Sequence, residues 1–245
     1  MDTITIKPQV VVILAAGLGS RLLSEQEGPK PLRPVAGRAL ILRVLDRFIE
    51  SGVKEAVVIL GYRGDEVRAE IEKAKLDCKA TFVFNPDYKM NNGLSVLAAR
   101  EVVGDRPFFL SMSDHIFEKS LIDGLALAPL PNGGLVLAVD RKLETIYDMD
   151  DATKVRTDDD LIVEIQKELE VFDAVDTGLF MCTEALFTEI EGAKNANSSG
   201  DCSLSEGVTA LAVLGLARVH DVGKGLWQDV DTPGSVFHAN KLFGA

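Results

Sequence analysis

Val10-Val11-Val12-Ile13-Leu14-Ala15-Ala16-Gly17-Leu18-Gly19-Ser20-Arg21 is the stretch that decides the fold of this chain. Residues 10–14 are apolar throughout and rich in β-branched side chains, the pattern of a strand buried on both faces. The strand runs straight into a glycine-containing loop, and Arg21 and Lys30 add two fixed cations. Glycine lets backbone N–H groups close on an anion, so loop and cations together suit a triphosphate. Two common phosphate loops are excluded. A P-loop ends in Gly-Lys-Ser/Thr, and none follows Gly19. A dinucleotide fingerprint needs a third glycine at position 22, where Leu22 stands.

Outward from this stretch, strand and helix patterns alternate. Residues 56–60, 81–84 and 108–112 read as strands, with helices at 39–51, 65–75 and 94–102. In the first helix Leu40, Ile41, Val44, Leu45, Phe48 and Ile49 fall at helical spacing, and Gly52 is its stop. Such alternation predicts a parallel sheet covered by helices, with ligands at the carboxyl ends of the strands. The glycine loop and Asp114 both fall at such ends. The second half is less regular: strands at 135–139, 161–165, 177–181 and 219–222, and helices at 203–214 and 233–242. Residues 193–201 read as a polar, flexible loop. The charged segment 140–160 carries Asp148, Asp150, Asp151, Asp158, Asp159 and Asp160. Its spacing does not fit an EF-hand, and it reads as a solvated hairpin arm.

The chain has 245 residues, enough for one large α/β domain. Its net charge of -12 and lack of a basic stripe argue against nucleic-acid binding, though not against a local nucleotide pocket. No apolar run reaches the roughly 18 residues of a membrane span, and residues 1–7 lack a signal-peptide pattern. A cytoplasmic protein without membrane insertion is the expectation. Cys78, Cys182 and Cys202 lie far apart and read as buried or incidental thiols; with His115, His220 and His238 equally scattered, no zinc spacing emerges.

The segment Leu14 to Arg21, with Pro29-Lys30-Pro31-Leu32-Arg33-Pro34-Val35-Ala36-Gly37, resembles the signature of the nucleotidyltransferase superfamily that joins an NTP to a phosphorylated sugar, polyol or choline. The resemblance runs along nearly the whole chain and is closest to the inositol-1-phosphate cytidylyltransferases. It implies an α/β fold: a single Rossmann-like three-layer α/β/α domain, residues 1–245, with a mostly parallel mixed central sheet and a small β-arm in the second half. Residues 1–115 would form the nucleotide-binding half and 116–245 the acceptor-binding half.

Residue by residue, the resemblance places Leu14, Ala15, Ala16, Gly17, Gly19, Ser20, Arg21 and Lys30 around the nucleotide phosphates. Asp114, at the end of an apolar strand, matches the family's first metal-binding aspartate; from the residues alone, a turn or N-cap role stands beside it. Asp231, in Trp227-Gln228-Asp229-Val230-Asp231-Thr232-Pro233, matches the second metal ligand. Asp229 is a weaker candidate on the same face, and Asp231 or Thr232 could instead cap the helix beginning at Pro233. Lys167, followed by Asp176-Thr177-Gly178, resembles the acceptor segment, with the lysine on the acceptor phosphate; Lys167-Glu168 departs from the Lys-Pro of many sugar-nucleotide enzymes. Asn92 and Ser95 match the segment beside the base, with helix capping as the alternative, and Lys89 is a further candidate phosphate contact. Asp176 and Glu206 are carboxylates suited to acceptor hydroxyls, although Glu206 also completes a capping box with Ser203.

The implied reaction is CMP transfer from CTP to inositol 1-phosphate, giving CDP-inositol and pyrophosphate with Mg²⁺ held by Asp114 and Asp231. Arg21, Lys30 and Lys167 would offset the repulsion between two polyanions. The product would feed a membrane-bound alcohol phosphotransferase, and the protein would be a monomer or homodimer. Phosphocholine cytidylyltransferase and sugar-1-phosphate uridylyl- or thymidylyltransferase are the alternatives within the class. Phosphocholine is weakly disfavoured by one Trp and three Tyr, few for an aromatic cage. Outside it stands a catalytically inactive, nucleotide-binding regulatory protein.

Overall fold

Val10–Ala15 is a strand with all six residues buried. The structure, a computed structural model, describes residues 2–19 and 28–244; Ser20 and Arg21 lie outside the described residues. The strands are β1 Thr3–Ile4, β2 Val10–Ala15, β3 Pro34–Val35, β4 Arg38–Ala39, β5 Glu55–Leu60, β6 Lys79–Phe84, β7 Phe108–Met112, β8 His115–Phe117, β9 Leu130–Pro131, β10 Leu135–Asp140, β11 Lys154–Asp158, β12 Leu161–Gln166, β13 Ala174–Cys182, β14 Ala217–Asp221 and β15 Trp227–Asp229. The helices are α1 Leu40–Glu50, α2 Gly64–Ala74, α3 Asn92–Ala98, α4 Arg100–Val103, α5 Lys119–Leu125, α6 Ala185–Ala196, α7 Leu204–Val213 and α8 Pro233–Phe243.

One nine-stranded sheet runs in the order β6-β5-β2-β7-β13-β11-β12-β14-β10. Strands β6, β5, β2 and β7 are parallel, as is the β10–β14 pair. Strand β13 runs antiparallel to β7, β10 and β11, and β12 is antiparallel to β11 and β14. The sheet is therefore mixed, as expected, but its parallel character belongs mainly to the first half. After β7 the chain adds an antiparallel hairpin, β11–β12, to its helical connections through α5 and α6–α7.

Alternation along β2 divides the core. Val11, Ile13 and Ala15 pack in the layer of Leu45 and Phe48 of α1 and Leu121 and Leu125 of α5. Val10, Val12 and Leu14 face the layer of Leu94 of α3, Phe187 and Ile190 of α6, and Leu211 of α7. This period-two split of a continuous apolar run is what a strand covered on both faces requires. Helix α1 ends where Gly52 adopts φ +92° and donates its N–H to the Ile49 carbonyl at 2.8 Å. Burial of Leu40, Ile41, Val44, Leu45 and Phe48 drives α1, and the positive φ at its end costs glycine little.

Three expectations change. The helix expected at 94–102 is two: α3 starts earlier, and the Ala99 carbonyl accepts from both Val102 and Val103, breaking the run. The flexible loop expected at 193–201 is helical through Ala196, since Leu186, Phe187 and Ile190 bury a stripe of α6. The remainder is tied down: Asp201 accepts from the Asn91 backbone N–H at 2.9 Å and its amide at 2.7 Å. The solvated arm expected at 140–160 is exposed at Glu144, Thr145, Tyr147, Asp148 and Asp150 and at Asp158 to Asp160, the tip of the β11–β12 hairpin, but it is not an arm throughout: Asp140 is buried and β11 belongs to the main sheet. Cys182 and Cys202 are buried, and burial pushes both thiols up.

Candidate active site

Strand β2 delivers residues 14–17 to the carboxyl edge of the sheet, and β7, its parallel neighbour, delivers Asp114 two residues past its end. The Ser113 N–H donates to the Leu14 carbonyl at 3.1 Å, so the two strand ends stay joined. The 3₁₀ turn Lys30–Leu32 brings Lys30 to the same place with only 9 % of it exposed. A Cβ on Gly19, at φ +63°, would stand 2.6 Å from the Lys30 Cβ. Only glycine lets the loop lie against that lysine stem.

The Lys30 ammonium donates to Asp114 Oδ2 at 2.5 Å and pairs with Asp231. Asp231 arrives by another route. Strand β15 pairs antiparallel with β8, matching Asp229 to His115, and the Val230 N–H donates to the Asp114 carbonyl at 3.0 Å. Thr232 then closes a capping box with Ser235 at the start of α8. The cap belongs to Thr232, so the Asp231 carboxylate is available to Lys30.

His115 completes the group. Its Nδ1 lies 2.8 Å from Asp114 Oδ1 and 3.8 Å from Asp229 Oδ1. Burial opposes charge on this ring, but Asp229, Asp114 and Asp176 outweigh it and push its pKa up to about 9. Burial likewise opposes ionisation of Asp114, yet Lys30 and His115 hold its carboxyl far below the usual carboxylate range. Burial raises the Asp229 carboxyl despite His115. Burial also raises Asp176, to about 6, against the Gly178 N–H that donates to it at 2.7 Å. At Gly178, φ is +72° and a Cβ would meet the His115 ring at 2.6 Å.

Two cavities open on either side of this cluster among the described residues. One, of about 310 Å³, is lined by residues 14–17, Gly19, Lys30, Asn92, Ser95 and Asp114. With Lys89 apart, these are all the described residues that the resemblance assigns to the nucleotide. The other, of about 430 Å³, is lined by Lys167, Asp176 and Gly178 of the expected acceptor segment. Asp114 and Asp231 line both cavities and form the wall between them. Asn92 also lines both, while its Oδ1 accepts from the Leu204 N–H at 2.9 Å; Ser95 accepts from buried Asn85 at 3.0 Å.

Three expected residues point elsewhere. Glu206 closes the capping box of α7, its Oε2 accepting from the Ser203 N–H at 2.7 Å and hydroxyl at 2.8 Å, and it lines neither cavity. Thr177 is wholly buried and donates to the Ala138 carbonyl at 2.8 Å, tying β13 to β10. Lys89 is exposed and lines neither cavity.

The acidic segment supplies what sequence reasoning missed. Asp151 accepts from the Lys167 ammonium at 2.7 Å and brings a carboxylate within 4.8 Å of those of Asp229 and Asp231. No local signal marks it, because its role depends on a fold that brings residue 151 beside 167 and 231. His115 carried a weak signal, as a titratable group adjoining Asp114.

Oxygen donors dominate this cluster: Asp114, Asp151, Asp229 and Asp231 bring carboxylates beside the single imidazole of His115. Asp229 Oδ1 is buried without a hydrogen-bond partner. A hard divalent cation fits such a set better than zinc does. Among the described residues no helix is long and apolar enough to cross a membrane.

Residues 11–152 match the MobA-like NTP transferase domain. The chain is 35 % identical over 236 residues to the "Bifunctional IPC transferase and DIPP synthase" of Thermococcus kodakarensis, covering 96 % of this chain and 50 % of that protein. It is 33 % identical over 255 residues to the "CMP-5'-(3-aminopropyl)phosphonate synthase" of Streptomyces rubellomurinus, covering 96 % and 39 %. The chain spans about half the length of the curated relatives it matches first. The solved inositol-1-phosphate CTP transferase from T. maritima superimposes over 100 % of both chains with a TM-score of 0.80 and 25 % identity.

Proposed function

We propose that this chain, which belongs to the MobA-like NTP transferase family, transfers a cytidylyl group from CTP to the phosphate of inositol 1-phosphate and releases pyrophosphate. The observation that carries the reading is the shared wall: Asp114 and Asp231, bridged by Lys30, stand between a cavity under the glycine loop and a second one reached by Lys167. Two substrates in those cavities would meet at the carboxylate pair. The names of the relatives direct the choice of base and acceptor.

In this reading an oxygen of the acceptor phosphate attacks the α-phosphorus of CTP. The new P–O bond forms as the bond to the bridging oxygen of pyrophosphate breaks. The acceptor oxygen is already anionic, so no general base is needed. What must be overcome is repulsion between two polyanions brought within about 3–3.5 Å. Lys30 leaves its carboxylates for the α-phosphoryl group, and Lys167 exchanges Asp151 for the acceptor phosphate. Arg21 is assigned to the departing phosphates. Asp114 and Asp231, with Asp229 beside them, would hold Mg²⁺, which supplies charge neutralisation at the reacting phosphates when bound. Buried Asp176 receives acceptor hydroxyls at the wall of the second cavity.

The rest of the reading follows from the same resemblance. The chain acts as one domain in the cytoplasm, as a monomer or homodimer, and passes its CDP-polyol to a membrane-bound alcohol phosphotransferase. A matrix of CTP, UTP and dTTP against inositol 1-phosphate, phosphocholine, glucose 1-phosphate and an aminoalkylphosphonate, scored by pyrophosphate release, tests it. Release with CTP and inositol 1-phosphate above all other pairs is expected. Nucleotide binding without release from any pair would replace the enzyme by a binding protein.

A further inference from the structure

Along the wall of the larger cavity, beyond His115, lies a polar group that the transfer step does not use. Asp140 ends β10 and is only 2 % exposed. A carboxylate buried so deeply must be matched by donors. Its Oδ1 accepts from the Lys142 backbone N–H at 2.7 Å and from the Lys142 ammonium at 2.8 Å. Its Oδ2 accepts from the indole N–H of Trp227 at 2.9 Å. The Lys142 ammonium also donates to the Gly223 carbonyl at 2.6 Å.

An ammonium has three N–H donors. Asp140 and Gly223 take two of them, and Lys142 lines the cavity, where the third is left to act. Trp227 lines it too, and its ring stacks on His115, with centroids 6.0 Å apart and planes 9° from parallel. A continuous set of contacts therefore runs Asp114, His115, Trp227, Asp140, Lys142. One end is the carboxylate wall where phosphates meet; the other lies several contacts away. The Lys142 charge is already matched by Asp140, so its remaining donor suits a neutral oxygen better than a second phosphate dianion.

We propose that Lys142 is a specificity-determining residue of the acceptor cavity: its ammonium, fixed by Asp140 and the Gly223 carbonyl, donates to a hydroxyl of the polyol at the end remote from the phosphate. Asp140 is the positioning residue for this contact and for the Trp227 wall. The assignment rests on the cytidylyltransfer reading above and adds to it the means by which a polyhydroxylated acceptor is told from a bare one.

The test compares inositol 1-phosphate with cyclohexyl phosphate, which keeps ring and phosphate but lacks the other hydroxyls. The intact chain, Lys142→Met and Asp140→Asn are assayed with saturating CTP. Trp227, the chain's single tryptophan, reports binding and folding by its fluorescence. Lys142→Met raises KM for inositol 1-phosphate about tenfold or more, the scale of one lost hydrogen bond from a charged group. It leaves kcat, KM for CTP and the response to cyclohexyl phosphate within about threefold. Asp140→Asn shifts the same KM in the same direction. An unchanged KM, or equal weakening of both acceptors, overturns the assignment. Should Lys142→Met fail to fold, Lys142→Ala is titrated by Trp227 fluorescence instead: a preference for inositol 1-phosphate over cyclohexyl phosphate equal to that of the wild type overturns the assignment, and a preference about tenfold smaller upholds it. A wild type that neither turns over nor binds inositol 1-phosphate brings down the functional reading itself.

Discussion

The ammonium of Lys30 lies 2.5 Å from Asp114 Oδ2 and also pairs with Asp231, so one lysine occupies the space between the two carboxylates assigned to a metal. A divalent cation and this ammonium compete for the same oxygens. Replacing Lys30 by Met is therefore expected to tighten Mn²⁺ binding about tenfold without nucleotide, read as free Mn²⁺ by electron paramagnetic resonance. Turnover falls by about 10²–10³, the scale for a lost preorganised donor. Asp114→Asn moves metal affinity the other way and also removes most turnover. Its circular dichroism stays that of the wild type, because Asp231 still balances Lys30. Equal Mn²⁺ affinity in all three proteins would show that Lys30 does not compete for the site.

Gly178 stands where β13 passes closest to His115. Its φ of +72° and the 2.6 Å gap that a Cβ would leave to the His115 ring permit no side chain. An L-residue in that conformation costs about 1–2 kcal/mol before any clash. Gly178→Ala is expected to lose about 2 kcal/mol or more in urea unfolding. It also loses turnover, because the displaced imidazole no longer holds Asp114 Oδ1. A variant as stable and active as the wild type would remove His115 from any positioning role.

What could be read from the chain, and what could not, follows from the range of the interactions. Residues 10–15 declared their strand because its physics is local, a run of apolar and β-branched residues. Gly52 and Pro233 marked helix boundaries for the same reason. Lys30, Asp114 and Asp231 were legible through the resemblance, and their meeting at one wall is a property of the tertiary fold: the 3₁₀ turn, the end of β7 and the β15–β8 pair converge there. Asp151 reads in sequence as one more solvated charge, because nothing within ten residues of it signals Lys167. Helix α6 was missed because its buried stripe is only Leu186, Phe187 and Ile190, too narrow to stand out from its polar residues. Glu206 was ambiguous in sequence, since the same spacing serves a cap or a ligand, and only the fold shows which way its carboxylate turns.

That ambiguity yields a sharp prediction. Glu206 accepts from both the backbone N–H and the hydroxyl of Ser203. Glu206→Ala is expected to lower stability by about 1 kcal/mol, the ordinary loss for a helix cap. KM for the acceptor stays unchanged. A raised acceptor KM with unaltered stability would return Glu206 to the binding surface and contradict the capping geometry.

The acid limb of the stability curve has an identifiable contributor far from the active site. Glu55, at the start of β5, accepts from Arg106 at 2.9 Å and from Lys79 at 3.1 Å, with 15 % of its side chain exposed. The hydrogen bond from Arg106, helped by Lys79, holds its carboxyl below the usual value against the opposing effect of burial. A carboxyl depressed in the folded state stabilises the protein above the unfolded pKa, roughly 4.3 for glutamate. That contribution disappears as pH falls through the lower, folded value. Glu55→Gln is therefore expected to cost about 1 kcal/mol at pH 7, the upper end for a partly exposed ion pair. The urea midpoints of the two proteins should converge as the solution is acidified through and below pH 4. A difference that persists unchanged in strong acid would assign the loss to packing at the β5–β6 edge and leave the charge without a part in it.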